Sequence, residues 1–333
     1  MSHYRTVARG AVLLALFFLG VVEALSSQEA SSPFIICAPE GFRQGDPLLA
    51  WIIVLPGEGG QNSFSPESRL VNQSGRVVSR SRCFDAQGLF AGEEGDPSPA
   101  RVFGVLYALP CDFPPGAYNL EVGPAKAAFT VSPRDFPVET IKLDEQNTKL
   151  RTESTKRKDD EAKRLYEILL SVDDTALFAD GNYFFFPVGG GFQSAGFGDK
   201  RRYLYSSGRS ETAMHAGIDW AVVKGTEVRA CERGKVVFAA SREVTGNTVI
   251  VEHLPGLYSL YFHLSSFTVA EGQIVERGQV MALSGSTGLA TGPHLHWEIR
   301  AKGEAVDPEY WLGSALLDKD AIKARIKRLF EGG

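Results

Sequence analysis

Short apolar runs broken by glycine- and proline-bearing turns recur along most of this 333-residue chain, and a charged stretch near its middle carries a helical stripe. That pattern calls for antiparallel sheets with short connections. In residues 33–132 the runs are Leu48–Leu55, Arg76–Ser79, Ala100–Leu109, Ala117–Val122 and Ala127–Val131. Gly45-Asp46-Pro47 and Pro114-Pro115-Gly116 punctuate them. Roughly 100 residues at this spacing predict an immunoglobulin-like β-sandwich. No cluster of His, Asp or Glu with catalytic spacing lies there, so this half is expected to be a structural or binding module.

Residues 133–180 read as a linker. From Arg151 to about Ser171 it is highly charged, with Lys156-Arg157-Lys158-Asp159-Asp160-Glu161 in a row. Ala162, Leu165, Ile168, Leu169 and Val172 recur at three- and four-residue steps, one apolar stripe on a helix. The charge run is then the solvated face, and the helix is expected to pack between the domains. From Tyr183 the β pattern returns, with candidate strands Thr226–Ala230, Lys235–Ala240, Thr248–Glu252, Tyr258–His263, Val280–Leu283 and His294–Arg300. Gly246-Asn247, Gly285-Ser286-Thr287-Gly288 and other glycine turns join them. The fold class expected is mainly β: a sandwich, a linking helix, and a C-terminal antiparallel sheet domain over 181–315, with a tail helix in 316–333.

Length allows about two domains at ~150 residues each. Hydrophobic residues make up 44% and charged residues 23%, an ordinary globular balance, and the formal charge is −5. Nothing in that charge attracts nucleic acid or an anionic membrane. The first 24 residues read as a secretory signal: Arg5 and Arg9 precede the uncharged run Ala11 to Val22, too short to span a bilayer core. Cleavage fits after Ala24 or Ser26; the competing reading is an uncleaved anchor. Either places the body outside the cytoplasm, in the periplasm or cell envelope, with no membrane span after cleavage. Export permits disulfides. Cys83–Cys111 is a candidate bridge, although Cys37, Cys83 and Cys111 allow three single pairings. Cys231 sits in an apolar strand pattern and reads as a buried free thiol.

Histidine placement carries the chemistry. His253 follows an apolar run and reads as structural. His294 and His296 lie in His-Leu-His-Trp-Glu-Ile-Arg. On a strand they share a face, while Leu295 and Trp297 take the other. His215 and Asp219 stand four apart in Met-His-Ala-Gly-Ile-Asp-Trp, and His263 ends Tyr-Ser-Leu-Tyr-Phe-His. Each signal is weak alone. Two His and one Asp together make three zinc-type donors with a fourth place for water, the catalytic pattern rather than the closed structural one. Two histidines then remain for proton transfer and for stabilising a tetrahedral intermediate.

These residues resemble the LytM-type, lysostaphin-like zinc metallopeptidases. The family's His-x-Gly-x-Asp, single His after an aromatic strand, and Gly-Pro-His-Leu-His stand here as His215-Ala216-Gly217-Ile218-Asp219, Tyr261-Phe262-His263-Leu264 and Gly292-Pro293-His294-Leu295-His296. The resemblance runs from about Phe186 to Leu312. It implies His215, Asp219 and His296 as ligands of one zinc, and His263 and His294 as the catalytic pair. It further implies a groove over the metal and peptidoglycan peptide stems as substrate. The front of the chain is similar, less specifically, to the β-sandwich that precedes this domain in some exported members.

The expected function is therefore a zinc endopeptidase of peptidoglycan cross-links. One competing reading is a non-catalytic LytM-type activator of another wall hydrolase. Such modules typically lack one or more metal-site residues, and this chain lacks none. Another is an adhesion or carbohydrate-binding protein led by the sandwich.

Overall fold

A computed structural model describes residues 34–56, 67–90, 100–181 and 183–331. The expected signal segment lies outside them. Among the described residues no helix is long and apolar enough to cross a membrane.

The chain is mainly β, as expected. A four-stranded sheet runs in the order Phe34–Cys37, Pro47–Val54, Arg101–Ala108, Phe84–Asp85. A five-stranded sheet runs Gly41–Arg43, Ala125–Ser132, Gly116–Val122, Glu67–Asn72, Val77–Arg82. Leu48, Ile52 and Val105 of the first meet Leu70, Leu120 and Phe129 of the second in one core, which makes the pair a sandwich.

Strand Pro47–Val54 is buried along its whole length, and alternation gives the reason. Leu48, Ala50, Ile52 and Val54 face the sandwich core. Leu49, Trp51 and Ile53 face a second core that also holds Val188, Ile218, Trp297 and Trp311. The four-stranded sheet is thus a middle layer, and its far face is what joins the two halves of the chain.

The linking helix does not fill that role. It spans Lys156–Leu170, capped by Thr155, whose side chain accepts from Lys158 N. Leu165, Ile168 and Leu169 pack on Phe238, Ile250, Tyr258, Leu260 and Phe262, the outer face of the C-terminal sheet. The expectation of an interdomain helix is corrected: the stripe finds its apolar partner on one sheet. Val172 lies past the helix end and is exposed. The charge run is solvated, as at Lys156 and Asp160, which pair with each other at 2.7 Å. The region read as linker also supplies helix Glu145–Thr152 and strand Val138–Lys142, parallel to Lys200–Leu204.

The expected Cys83–Cys111 bridge is absent: Cys83, Cys111 and Cys231 are free thiols. Cys83 belongs to the sandwich core, whereas Cys111 packs against the other core beside Gly198. Their side chains serve different layers.

The C-terminal sheet has eight strands. Its main path is Phe192–Ala195, Ile218–Ala221, His294–Ala301, Leu257–Leu264, Gly246–Leu254, Gly234–Arg242, Ile274–Val275, with Glu304–Val306 paired to His294–Ala301. Every pairing in it is antiparallel. Helix Lys319–Glu331 closes the chain.

Candidate metal centre

Two adjacent strands place the first donors. Asp219 pairs directly with His296, and Ala221 with His294. On His294–Ala301, Leu295, Trp297 and Ile299 fill the core, so His294, His296, Glu298 and Arg300 share the opposite face. Gly217 lets the chain carrying His215 pass close over this strand: a Cβ there would stand 2.2 Å from the Trp297 carbonyl oxygen. No side chain fits, which is the physical content of the glycine in His-x-Gly-x-Asp.

Three of the five anticipated residues converge. One donor atom each from His215, Asp219 and His296 lies within 4.8 Å of the others, and all three residues are buried. Asp219 Oδ1 is 2.7 Å from His296 Nδ1 and 3.2 Å from His215 Nε2. The other two histidines stand beside this cluster. His294 Nε2 is 3.7 Å from the same Asp219 oxygen, and the rings of His263 and His294 are 4.7 Å apart.

The hydrogen bonds fix which nitrogens are available. His215 Nδ1 donates to Gly196 O (2.7 Å), His263 Nδ1 to Thr287 O (2.8 Å) and His294 Nδ1 to Gly292 O (2.9 Å). A carbonyl only accepts, so each Nδ1 carries hydrogen and each neutral ring keeps its Nε2 lone pair free. His296 is reversed: Nε2 donates to Glu298 Oε1 (2.8 Å), leaving Nδ1 for the cluster. Glu298 is held in turn by Arg300 Nε at 2.7 Å and Nη2 at 2.6 Å. Such carboxylate support behind a ligating imidazole is the usual outer shell of a metal site.

His263 breaks its strand's alternation. It has φ 59°, rare for a residue other than glycine, and the register with Gly246–Leu254 shifts there. This local distortion brings its ring to the face of the site. Burial, with His294 and His296 adding to it, pushes His263 down to about 3, so its ring is neutral at pH 7. Burial also depresses His296, but the carboxylates Asp219 and Glu298 outweigh it and raise the ring to about 9. Asp219 would be raised by burial, yet bonds from His215 and His296 hold it far below the usual carboxylate range.

A cavity of about 390 Å³ opens over these groups. Glu139, Ile141, Arg201 and Tyr203 line one wall, and Leu289 to Pro293 lie among its other residues. His253 stays apart: fully buried, it donates Nδ1 to Arg233 O (2.9 Å), and its other nitrogen bonds Ser259 Oγ (2.7 Å). Burial lowers it to about 4. Cys231 is fully buried as expected.

Glu298, Arg300 and Arg201 were not singled out as site residues from the sequence. The first two had a signal, since they continue the two-residue spacing of His294 and His296. Arg201 had none.

Residues 213–308 match the profile of peptidase family M23, and this part of the chain belongs to that family. The DD-carboxypeptidase/endopeptidase Mpg of Neisseria meningitidis serogroup B is 46% identical over 95 residues, 28% of this chain and 22% of that protein. The murein hydrolase activator EnvC of Escherichia coli K12 is 44% identical over 90 residues, 27% of this chain and 22% of that one. The catalytic domain of the antimicrobial peptidase lysostaphin from Staphylococcus simulans is 33% identical, covering 37% of this chain and 92% of that domain, with a TM-score of 0.32. The chain thus spans less than a quarter of the length of these two curated relatives.

Proposed function

We propose that this protein is a zinc-dependent endopeptidase that hydrolyses peptide cross-links in bacterial peptidoglycan. One observation carries the reading: His215 Nε2, Asp219 Oδ1 and His296 Nδ1 converge with two further imidazoles beside them. The donor set, two imidazole nitrogens and a carboxylate oxygen, suits zinc with one place left for solvent. Hydrogen bonds on the rear nitrogens of both ligand histidines aim those lone pairs inward. Zinc, when bound, supplies a Lewis acid that acidifies water and polarises a carbonyl.

The catalytic work of the chain falls to His263 and His294. Each presents an Nε2 acceptor, held in that tautomer by a backbone carbonyl. That nitrogen takes a proton from the attacking water and returns one to the leaving amine. The second imidazole supports the oxyanion from Nε2 once that nitrogen has taken up a proton from solvent and can donate. The cavity beside them has the volume of a few peptide residues and suits a peptide stem. The relative named DD-carboxypeptidase/endopeptidase favours the D-alanyl cross-link as the bond cut. With residues 1–24 as an export signal, the enzyme works in the periplasm or cell envelope. The chain then divides as sandwich 33–132, connecting segment 133–180, peptidase domain 181–315 and tail helix 316–333.

A second reading, activation of another wall hydrolase without catalysis, is favoured by the relative named as an activator. The two separate in one experiment. Purified protein is assayed for zinc and for digestion of peptidoglycan, alone and with an amidase present. Zinc-dependent digestion by the protein alone supports the enzyme; metal-free stimulation of the amidase sinks it.

A further inference from the structure

The second oxygen of Asp219 has a partner of its own. Arg201 directs Nη2 onto Oδ2, while Oδ1 faces His296, His215 and His294. The pair is well shielded, with 13% of the Arg201 side chain and 10% of the Asp219 side chain accessible. Arg201 stands on Lys200–Leu204, between two strands with different tasks. Ser210–Met214, antiparallel to it, leads directly into His215. Val138–Lys142, parallel to it, sets Glu139 opposite Arg201, with Glu139 Oε2 3.6 Å from Arg201 Nε. Of the run Lys200-Arg201-Arg202, Arg201 is the member that lines the cavity.

A carboxylate can ligate a metal through one oxygen or two. Two-oxygen binding by Asp219 would fill the place that water needs in a three-residue site. A guanidinium on Oδ2 opposes that, because its charge-assisted bond would have to break in a shielded setting. We propose that Arg201 is a positioning residue: it engages Asp219 Oδ2 so that Oδ1 alone faces the metal and one coordination place stays open. This rests on the metal-site reading given above. Strand Val138–Lys142, outside the residues matched by the family, supports it by flanking the guanidinium and supplying a second carboxylate at its rear.

The test loads the full chain with cobalt(II), whose visible bands are several times stronger in four-coordinate than in higher-coordinate sites. Wild-type protein is expected to show the strong bands. Arg201→Met should lose about twofold or more of that intensity as the second oxygen joins. Arg201→Gln, whose amide can still donate to Oδ2, should lose less, and Arg201→Leu, which like Met cannot donate, decides the matter if the Met variant does not fold. A folded Arg201→Met, or in its place Arg201→Leu, with undiminished wild-type bands overturns the role of Arg201. Wild-type protein that binds no cobalt overturns the metal-site reading instead.

Discussion

Glu298→Gln removes one charge from a line of three groups, His296 and Glu298 buried and Arg300 half-buried, and almost no volume. Glu298 accepts from His296 Nε2 at 2.8 Å and from Arg300 at 2.7 and 2.6 Å. Bonds to a charged partner contribute about 1 kcal/mol more than neutral ones. Three weakened bonds, partly relieved by water reaching Arg300, cost about 2 kcal/mol of stability. An effect of similar size falls on the metal. Loss of an outer-shell carboxylate weakens metal binding about 10- to 100-fold, or roughly 1.4–2.7 kcal/mol. A proton opposes the metal at His296, because that ring is raised to about 9 and must lose its proton to ligate. Removing Glu298 lowers the ring's affinity for that proton too. The deficit should therefore be largest above pH 9, where neither protein holds the proton, and should narrow toward neutrality. Chelator competition for zinc across that range, with denaturant unfolding in parallel, reads both effects. An affinity within about twofold of wild type at every pH would refute the orienting role of Glu298.

Other outcomes follow from the same geometry. His263→Ala and His294→Ala should keep the metal and lose about 10²- to 10⁴-fold in cleavage rate, whereas His215→Ala, Asp219→Ala and His296→Ala should lose both, read by metal analysis beside a muropeptide assay. Gly217→Ala must push apart the Ile218–Ala221 and His294–Ala301 strands, so thermal unfolding should show a loss above about 2 kcal/mol together with weaker metal retention. Burial lifts Glu252 to about 7, although its oxygen accepts from Tyr258 at 3.0 Å. With the folded value above the unfolded one, its contribution is intact below about pH 4.5 and is lost as pH rises through 7. Glu252→Gln should thus gain about 1–2 kcal/mol at pH 8 and nothing at pH 4.5, by denaturant unfolding at both.

The convergence at the site was legible because strand periodicity and residue chemistry act over short distances. His294 and His296 share a face for the same reason that Leu295 and Trp297 share the core. The same period would have reached Glu298 and Arg300 had it been followed two steps further. Arg201 could not be read this way: its bond to Asp219 depends on where two strands, 18 residues apart, cross in space. The helix stripe showed which face is buried but held no information on what buries it, and Phe238 and Tyr258 had an equal claim to the sandwich. The unbroken apolar run of Pro47–Val54 was the better marker of the interdomain contact, since a strand apolar on both faces needs cover on both. Cys83 and Cys111 lie in the same half of the sequence, while the layers that bury them differ.

The most direct test of hydrolysis digests purified, cross-linked peptidoglycan with the full chain and reads the released muropeptides by mass spectrometry. Cross-linked dimers should fall to monomers cut at the D-alanyl bond, with about one zinc per chain. Cutting should cease on chelation and return when zinc is restored. Dimers left intact by zinc-loaded protein, or cutting undiminished after the metal is stripped, would contradict the account.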